Sequence, residues 1–253
     1  MAKITTKELL DAGVHFGHLT RKWNPQMAPF IFMEKNGIHI IDLNKSLKHL
    51  DEAAAALRGV VRSGRKVMFV ATKKQAKEIV ETEAKKLKMP FVTERWLGGM
   101  LTNFATIRKS LKKMQTIDKM TKEEAYLNMA KRERLMVSRE REKLERVLGG
   151  IADLNRLPAA LFIVDIKREH IAVAEAQKLN IPVFGMVDTN SDPNQVDYPI
   201  PANDDAFKSI QLIVQYLSKE MEEGLGERKK EKDDTKLAEE AEAKKAADEK
   251  AEA

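Results

Sequence analysis

Two short stretches concentrate the residue types that do chemistry. HFGHLTRKWNP, residues 15–25, holds His15 and His18 three apart, Phe16, Trp23, the adjacent cations Arg21 and Lys22, Asn24, and no acid. ERWLGGMLTN, residues 94–103, again sets an arginine, Arg95, beside a tryptophan, Trp96, with paired glycines and the amide of Asn103. Two imidazoles at that spacing could share a helix face and ligate a metal. However, Gly17 between them and Asn24-Pro25 beyond predict a loop, and no carboxylate lies close in sequence as a third ligand. The chain has no cysteine, so disulfides and thiolate-held metals are excluded. No metal and no cofactor is expected.

Nucleophilic catalysis fares no better. There is no G-x-S-x-G turn, and the five histidines (15, 18, 39, 49 and 170) have no evident serine partner. The glycine pairs in WLGGMLTN and LGGIADL match neither a dinucleotide fingerprint nor a phosphate loop. Carboxylates are a better lead: Asp165 and Asp188 each end a predicted strand, and Asp204 and Asp205 follow near a strand-to-helix junction. Strand ends are where α/β enzymes hold magnesium or a general base. The competing reading is structural and is favoured. Acids at a helix start cap free N–H groups, and DTNSDPN, residues 188–194, is dense in turn formers. For the two aromatic-basic stretches, cations suit phosphates and flat rings suit bases or ribose. The alternative is that Trp23 and Trp96 anchor their loops on the core.

The elements that must position these residues are legible from periodicity. Thr6 is expected to cap a first helix over residues 7–12. FIFMEKNGIHII, residues 30–41, reads as two strands joined at Asn36-Gly37. Asp42 then caps a helix over residues 43–62 that ends at Gly64. Short, continuously apolar strands follow at residues 66–71, 90–94, 159–165 and 181–188. Helices alternate with them: one after a Thr72 cap to residue 88, one over residues 168–179, and one from Asp204, capped by Asn203, to residue 222. That alternation predicts a parallel sheet covered on both faces, a three-layer α/β core.

Residues 103–148 break the pattern, with neither Pro nor Gly. Phe104, Ile107, Leu111, Met114 and Ile117, then Leu127, Ala130, Val137, Leu144 and Leu148, recur at helical spacing on two successive segments. Thr121 and Glu124 form a capping box between them. The expectation is an inserted antiparallel coiled-coil helical hairpin projecting from the body. The body is then residues 1–102 and 149–223, and residues 224–253 form a charged, low-complexity, disordered tail.

Charge is distributed unevenly. From Lys219 onward there are 9 Lys and Arg against 13 Asp and Glu, and before it 36 against 26. A basic body with an acidic tail favours a polyanionic partner. No apolar run is long enough for a membrane span, and the N-terminal residues read as a capped helix instead of a signal peptide, so a soluble intracellular chain with no membrane partner is expected.

The motifs then become specific. HFGHLTRKWNPQMAPFIFMEKNGIHIIDLNKS, RWLGGMLTNF and PAALFIVDIKREHIAVAEAQKLNIPVFGMVDTNSDPNQVDYPIPANDD resemble, in the same order, the bacterial family of the second protein of the small ribosomal subunit. The resemblance runs over about residues 7–215. It implies a flavodoxin-like α/β/α domain with a coiled-coil insertion, and a cytoplasmic, non-catalytic ribosomal protein. Its implied partners are small-subunit rRNA and neighbouring small-subunit proteins, including the largest, mRNA-binding one. Carried onto this chain, the resemblance places RNA contacts on His15, His18, Arg21, Lys22, Trp23 and Asn24 in the first motif. Arg95, Trp96 and Asn103 follow in the second, and Arg108, Lys109, Lys112 and Lys113 on the hairpin. The rival from another class is a magnesium-dependent α/β enzyme or nucleotide-binding domain using Asp165, Asp188 and Asp204.

Overall fold

The computed structural model describes residues 4–122, 126 and 129–251, with side chains to Glu231. Chain order opens with α1 (Thr6–Asp11), β1 (Phe16–Leu19), β2 (Ile31–Lys35), β3 (Ile38–Ile41) and α2 (Leu43–Arg62). It continues through β4 (Val67–Val70), α3 (Lys74–Leu87), β5 (Phe91–Val92), α4 (Phe104–Met120) and α5 (Lys131–Leu148). The last elements are β6 (Ala160–Val164), α6 (His170–Lys178), β7 (Val183–Val187), β8 (Tyr198–Pro201) and α7 (Phe207–Ala251).

The strands β5-β4-β6-β7-β8 form one sheet in that order, every pair parallel. Counted along the chain this is the order 2-1-3-4-5 of flavodoxin-like doubly wound sheets. Every residue of β4, β6 and β7 is buried, because helices cover both faces. On one face Leu50, Leu57 and Val61 of α2, Val80 of α3 and Val214 and Leu217 of α7 pack on Phe69, Phe162 and Phe184. On the other, Trp96, Ile107, Leu148 and Val173 pack on Met68, Leu161 and Ile163. Truncating one such phenylalanine to alanine costs about 3–5 kcal/mol, since transfer and cavity terms add.

A second, antiparallel sheet, β1-β3-β2, lies before the body. Its hairpin turns at Asn36 and Gly37, both at positive φ (54° and 73°), the geometry that the Asn-Gly pair predicts. Two strands go beyond what the sequence predicts. β1 occupies part of the stretch whose Gly17 and Asn24-Pro25 predict a loop. β8 carries Pro199 and Pro201, which lack the N–H of a ladder donor and are tolerated because β8 is an edge strand.

Helix starts shift by a few residues for local reasons. Thr5, not Thr6, caps α1, in a reciprocal box with Glu8. Thr72 does not cap α3: Lys73 holds that position, and Thr72 turns its hydroxyl and amide to Glu169. Asn203 Oδ1 accepts from the amides of Asp205 and Ala206, so it organises the turn before α7 and the helix proper begins at Phe207.

The helices α4 and α5 pair through Lys113–Glu140 and Arg141–Asp118, with Ile107, Leu111, Met114 and Ile117 buried along α4. On α5 only Leu148 is buried. Glu124 and Leu127, expected in the cap and seam of this pair, lie outside the described residues. α7 runs on past Glu223, and Arg58 of α2 meets Glu220, Glu223 and Glu227 while Arg62 meets Glu231. The segment whose composition predicts disorder therefore begins as a helix whose acids face the arginines of α2. Among the described residues, no helix is long and apolar enough to cross a membrane.

Candidate nucleic-acid interface

The first motif folds back onto the carboxyl ends of the parallel strands. His18 N–H donates to Thr189 Oγ1 at 2.8 Å, and Asn24 N–H donates to Thr189 O at 2.8 Å. This approach requires glycine at position 17, where a Cβ would lie 2.5 Å from Thr189 Cγ2. Asn24 Oδ1 accepts from Gln26 N–H at 2.9 Å and caps the turn that follows. Arg21, Lys22 and Trp23 are left exposed, Trp23 at 40%, with its ring 5.2 Å from that of His39.

The two histidines diverge. His15 is half-buried beside Phe16, its pKa lowered by burial, and it lines an apolar groove of about 640 Å³ with Leu10, Phe32 and Met33. His18 faces the strand ends, its Nδ1 3.0 Å from Asp188 and its Nε2 3.4 Å from Asp205. Its pKa is raised, by the hydrogen bond to Asp188 first and by the neighbouring carboxylate charges, against the effect of burial.

Lys73, at the N-cap of α3, completes this cluster. Its Nζ lies 2.7 Å from Asp204, 2.6 Å from Asp205 and 3.5 Å from Asp165. Burial lowers the Lys73 pKa, but the carboxylates outweigh it and the net shift is upward. Asp204 is fully buried, with Oδ2 unpartnered. Burial, then the charges of Asp188 and Asp165, push its carboxyl up to about 7. Burial likewise opposes ionisation of Asp205, but Lys73 overrides it and the net shift is downward. Donor atoms of His18, Asp188 and Asp204 lie within 4.8 Å of one another and form, among the described residues, the one set that could hold a metal ion. The carboxylates absent near His18 in sequence are supplied by β7 and the β8–α7 turn. Of the three acids in the enzyme reading, Asp165 and Asp204 face a lysine and Asp188 a histidine.

The second motif is organised by a residue that sequence reasoning passes over. Glu175 of α6 accepts from Trp96 Nε1 at 3.1 Å, Gly99 N–H at 2.7 Å, Leu101 N–H at 2.9 Å and Thr102 N–H at 3.0 Å, and from the Thr102 hydroxyl at 3.1 Å. Burial raises its pKa, but these donors outweigh it and hold the carboxyl below its usual range. Trp96 is only 6% exposed, so it anchors the loop; Arg95 beside it is exposed. Asn103 begins α4, and its Oδ1 accepts from the Thr106 hydroxyl. Arg108, Lys109 and Lys112 are exposed along α4, whereas Lys113 is paired with Glu140. No signal in the sequence singles out Glu175, because its partners are 73 to 79 residues away.

Comparison with known proteins matches residues 9–224 to the family model described as "Ribosomal protein S2". A protein of Cytophaga hutchinsonii named "Small ribosomal subunit protein uS2" is 71% identical over 246 residues, covering 97% of each chain. Proteins of the same name from Flavobacterium johnsoniae and Parabacteroides distasonis are 63% and 61% identical. The first comparison covers 94% of both chains, the second 95% of this chain and 87% of the relative. With nearly the full length matched at such identity, the chain belongs to the ribosomal protein S2 family.

Proposed function

We propose that this chain is a structural constituent of the small ribosomal subunit, acting in the cytoplasm by binding rRNA and neighbouring ribosomal proteins. The carrying observation is the first motif: Arg21, Lys22 and Trp23 stand exposed on a loop clamped to the sheet by Thr189, in a member of this family. Pre-set cations and an open ring meet phosphates and bases without further ordering. Arg95, Arg108, Lys109 and Lys112 extend this chemistry, with α4 and α5 as an inserted coiled-coil hairpin that reaches along the RNA. His18, Asn24, Trp96 and Asn103 act one step back, holding the loops that carry the contacts. His15, in the apolar groove with Leu10, Phe32 and Met33, belongs to a face for a protein neighbour. The largest, mRNA-binding small-subunit protein is one such neighbour on this reading.

The family is a structural one, so the strand-end acids serve architecture. They bind Lys73 and His18 and so fix the first motif to the body. The test is cosedimentation with small subunits and protection of rRNA at low salt. Bound protein and a footprint are expected; a chain that runs free and protects no nucleotide overturns the proposal.

A further inference from the structure

Beside the first motif lies a polar cleft of about 400 Å³, lined by Lys22, Trp23 and Asn24 on one side and by Lys167, His170 and Asn190 on the other. We propose that this cleft holds a single unstacked nucleotide, with Trp23 as its stacking surface, Lys22 and Lys167 at its phosphate, and the amides at its base edge. The inference rests on the RNA-binding reading above and goes beyond it by naming a pocket and by adding Lys167, His170 and Asn190, residues of the third motif to which no RNA contact is otherwise assigned.

Size comes first. A cleft of this volume is at the small end of the roughly 300–1,000 Å³ of ligand pockets, so it admits one nucleotide and no helix. Its chemistry is that of single-strand recognition, an aromatic face with cations and amides around it. The only carboxylate on the lining, Asp192, is engaged: its Oδ1 accepts from Asn194 N–H at 3.0 Å. The walls are also braced. Within one wall Lys167 Nζ donates to Asn190 O at 3.2 Å, and the two walls are tied by Asn24 N–H donating to Thr189 O at 2.8 Å and, at the margin, Asn194 Nδ2 donating to Gln26 Oε1 at 3.2 Å. A ligand therefore meets a pocket formed beforehand, which lowers the entropy lost on binding. An acidic peptide would use the cations but leave the flat face of Trp23 and the amides without a matching partner.

Small subunits are reconstituted with the wild-type chain or with Lys167→Glu/His170→Ala, both exposed positions, and base reactivity is mapped chemically along the rRNA. Expected is incorporation of both chains, with one unpaired nucleotide protected by the wild type and at least fivefold more reactive with the variant. Unchanged reactivity at every nucleotide overturns the proposal. So does weaker incorporation with no nucleotide newly exposed, which would assign the cleft to a protein neighbour. Should the wild type itself fail to incorporate, the RNA-binding reading falls, and the cleft is judged separately by Trp23 fluorescence during titration with 5′-mononucleotides. A saturable quench, absent from Trp23→Phe, would then assign the pocket to a free nucleotide; no quench would overturn it.

Discussion

Glu169, just before α6, and Glu175, within it, are both buried carboxylates, yet burial decides the charge of one and hydrogen bonding that of the other. Glu175 is satisfied by five donors, so its ionised form is the stable one. Glutamine there would turn an N–H toward donors and lose the charge. Glu175→Gln is expected to destabilise the chain by about 2–4 kcal/mol, seen as a lower urea midpoint at pH 7. A lowered folded pKa contributes stability above the unfolded carboxylate value of about 4.3, and loses it as pH falls through the folded one. The wild-type midpoint should drop in that acid window, and the variant's should drop less. Glu169 has the opposite sign. Burial raises its pKa, against the hydrogen bonds from Thr72, so its contribution falls as pH rises through the folded value. Glu169→Gln keeps an acceptor for Thr72, and its stability relative to wild type should increase between pH 4 and pH 7. A difference that is flat with pH would refute the burial argument. Neither role is legible in the sequence, because each depends on partners far along the chain.

Elements are more legible than residues, for a physical reason. A strand buried on both faces must be continuously apolar, so β4, β6 and β7 show in sequence as VMFV, ALFIV and VFGMV. The edge strand β8, with its prolines, carries no such signature, and β1 is four residues with a glycine. The packing of α7 on α2 is equally hidden, yet it makes a sharp prediction through two glycines two residues apart. A Cβ at Gly224 would lie 2.8 Å from the carbonyl oxygen of Arg58, backbone that cannot swing away, while a Cβ at Gly226 meets nothing within 4 Å. Gly224→Val should therefore separate the helices and destabilise by about 1–3 kcal/mol. Gly226→Ala should stabilise by up to about 1 kcal/mol through helix propensity alone. Thermal melts of the two variants check this; shifts of the same sign would show that α2 and α7 are not closely packed here.

At the scale of the whole molecule, the doubly wound body supplies strand ends whose acids pair with Lys73 and with His18 of the basic loop. Lys73 and His18 pair with the carboxylates, and the cations that stand exposed at the first motif are Arg21 and Lys22. Neither residue is a partner in these ion pairs; Lys22 acts on them only through its charge on Asp205, which is itself exposed to solvent. Arg21→Glu/Lys22→Glu is thus expected to melt like the wild type while incorporating poorly into small subunits. The salt dependence carries the mechanism: removing one cation from a phosphate should lower the slope of log affinity against log salt by about 0.7–0.9, so the pair should lower it by about 1.4–1.8. A change in the apolar groove, such as Phe32→Ser at a position 70% exposed, should leave that slope alone, because no phosphate is involved. Parallel binding isotherms across a salt series measure both. Equal slopes for wild type and double variant would remove the first motif from the RNA face, whatever happened to the affinity itself.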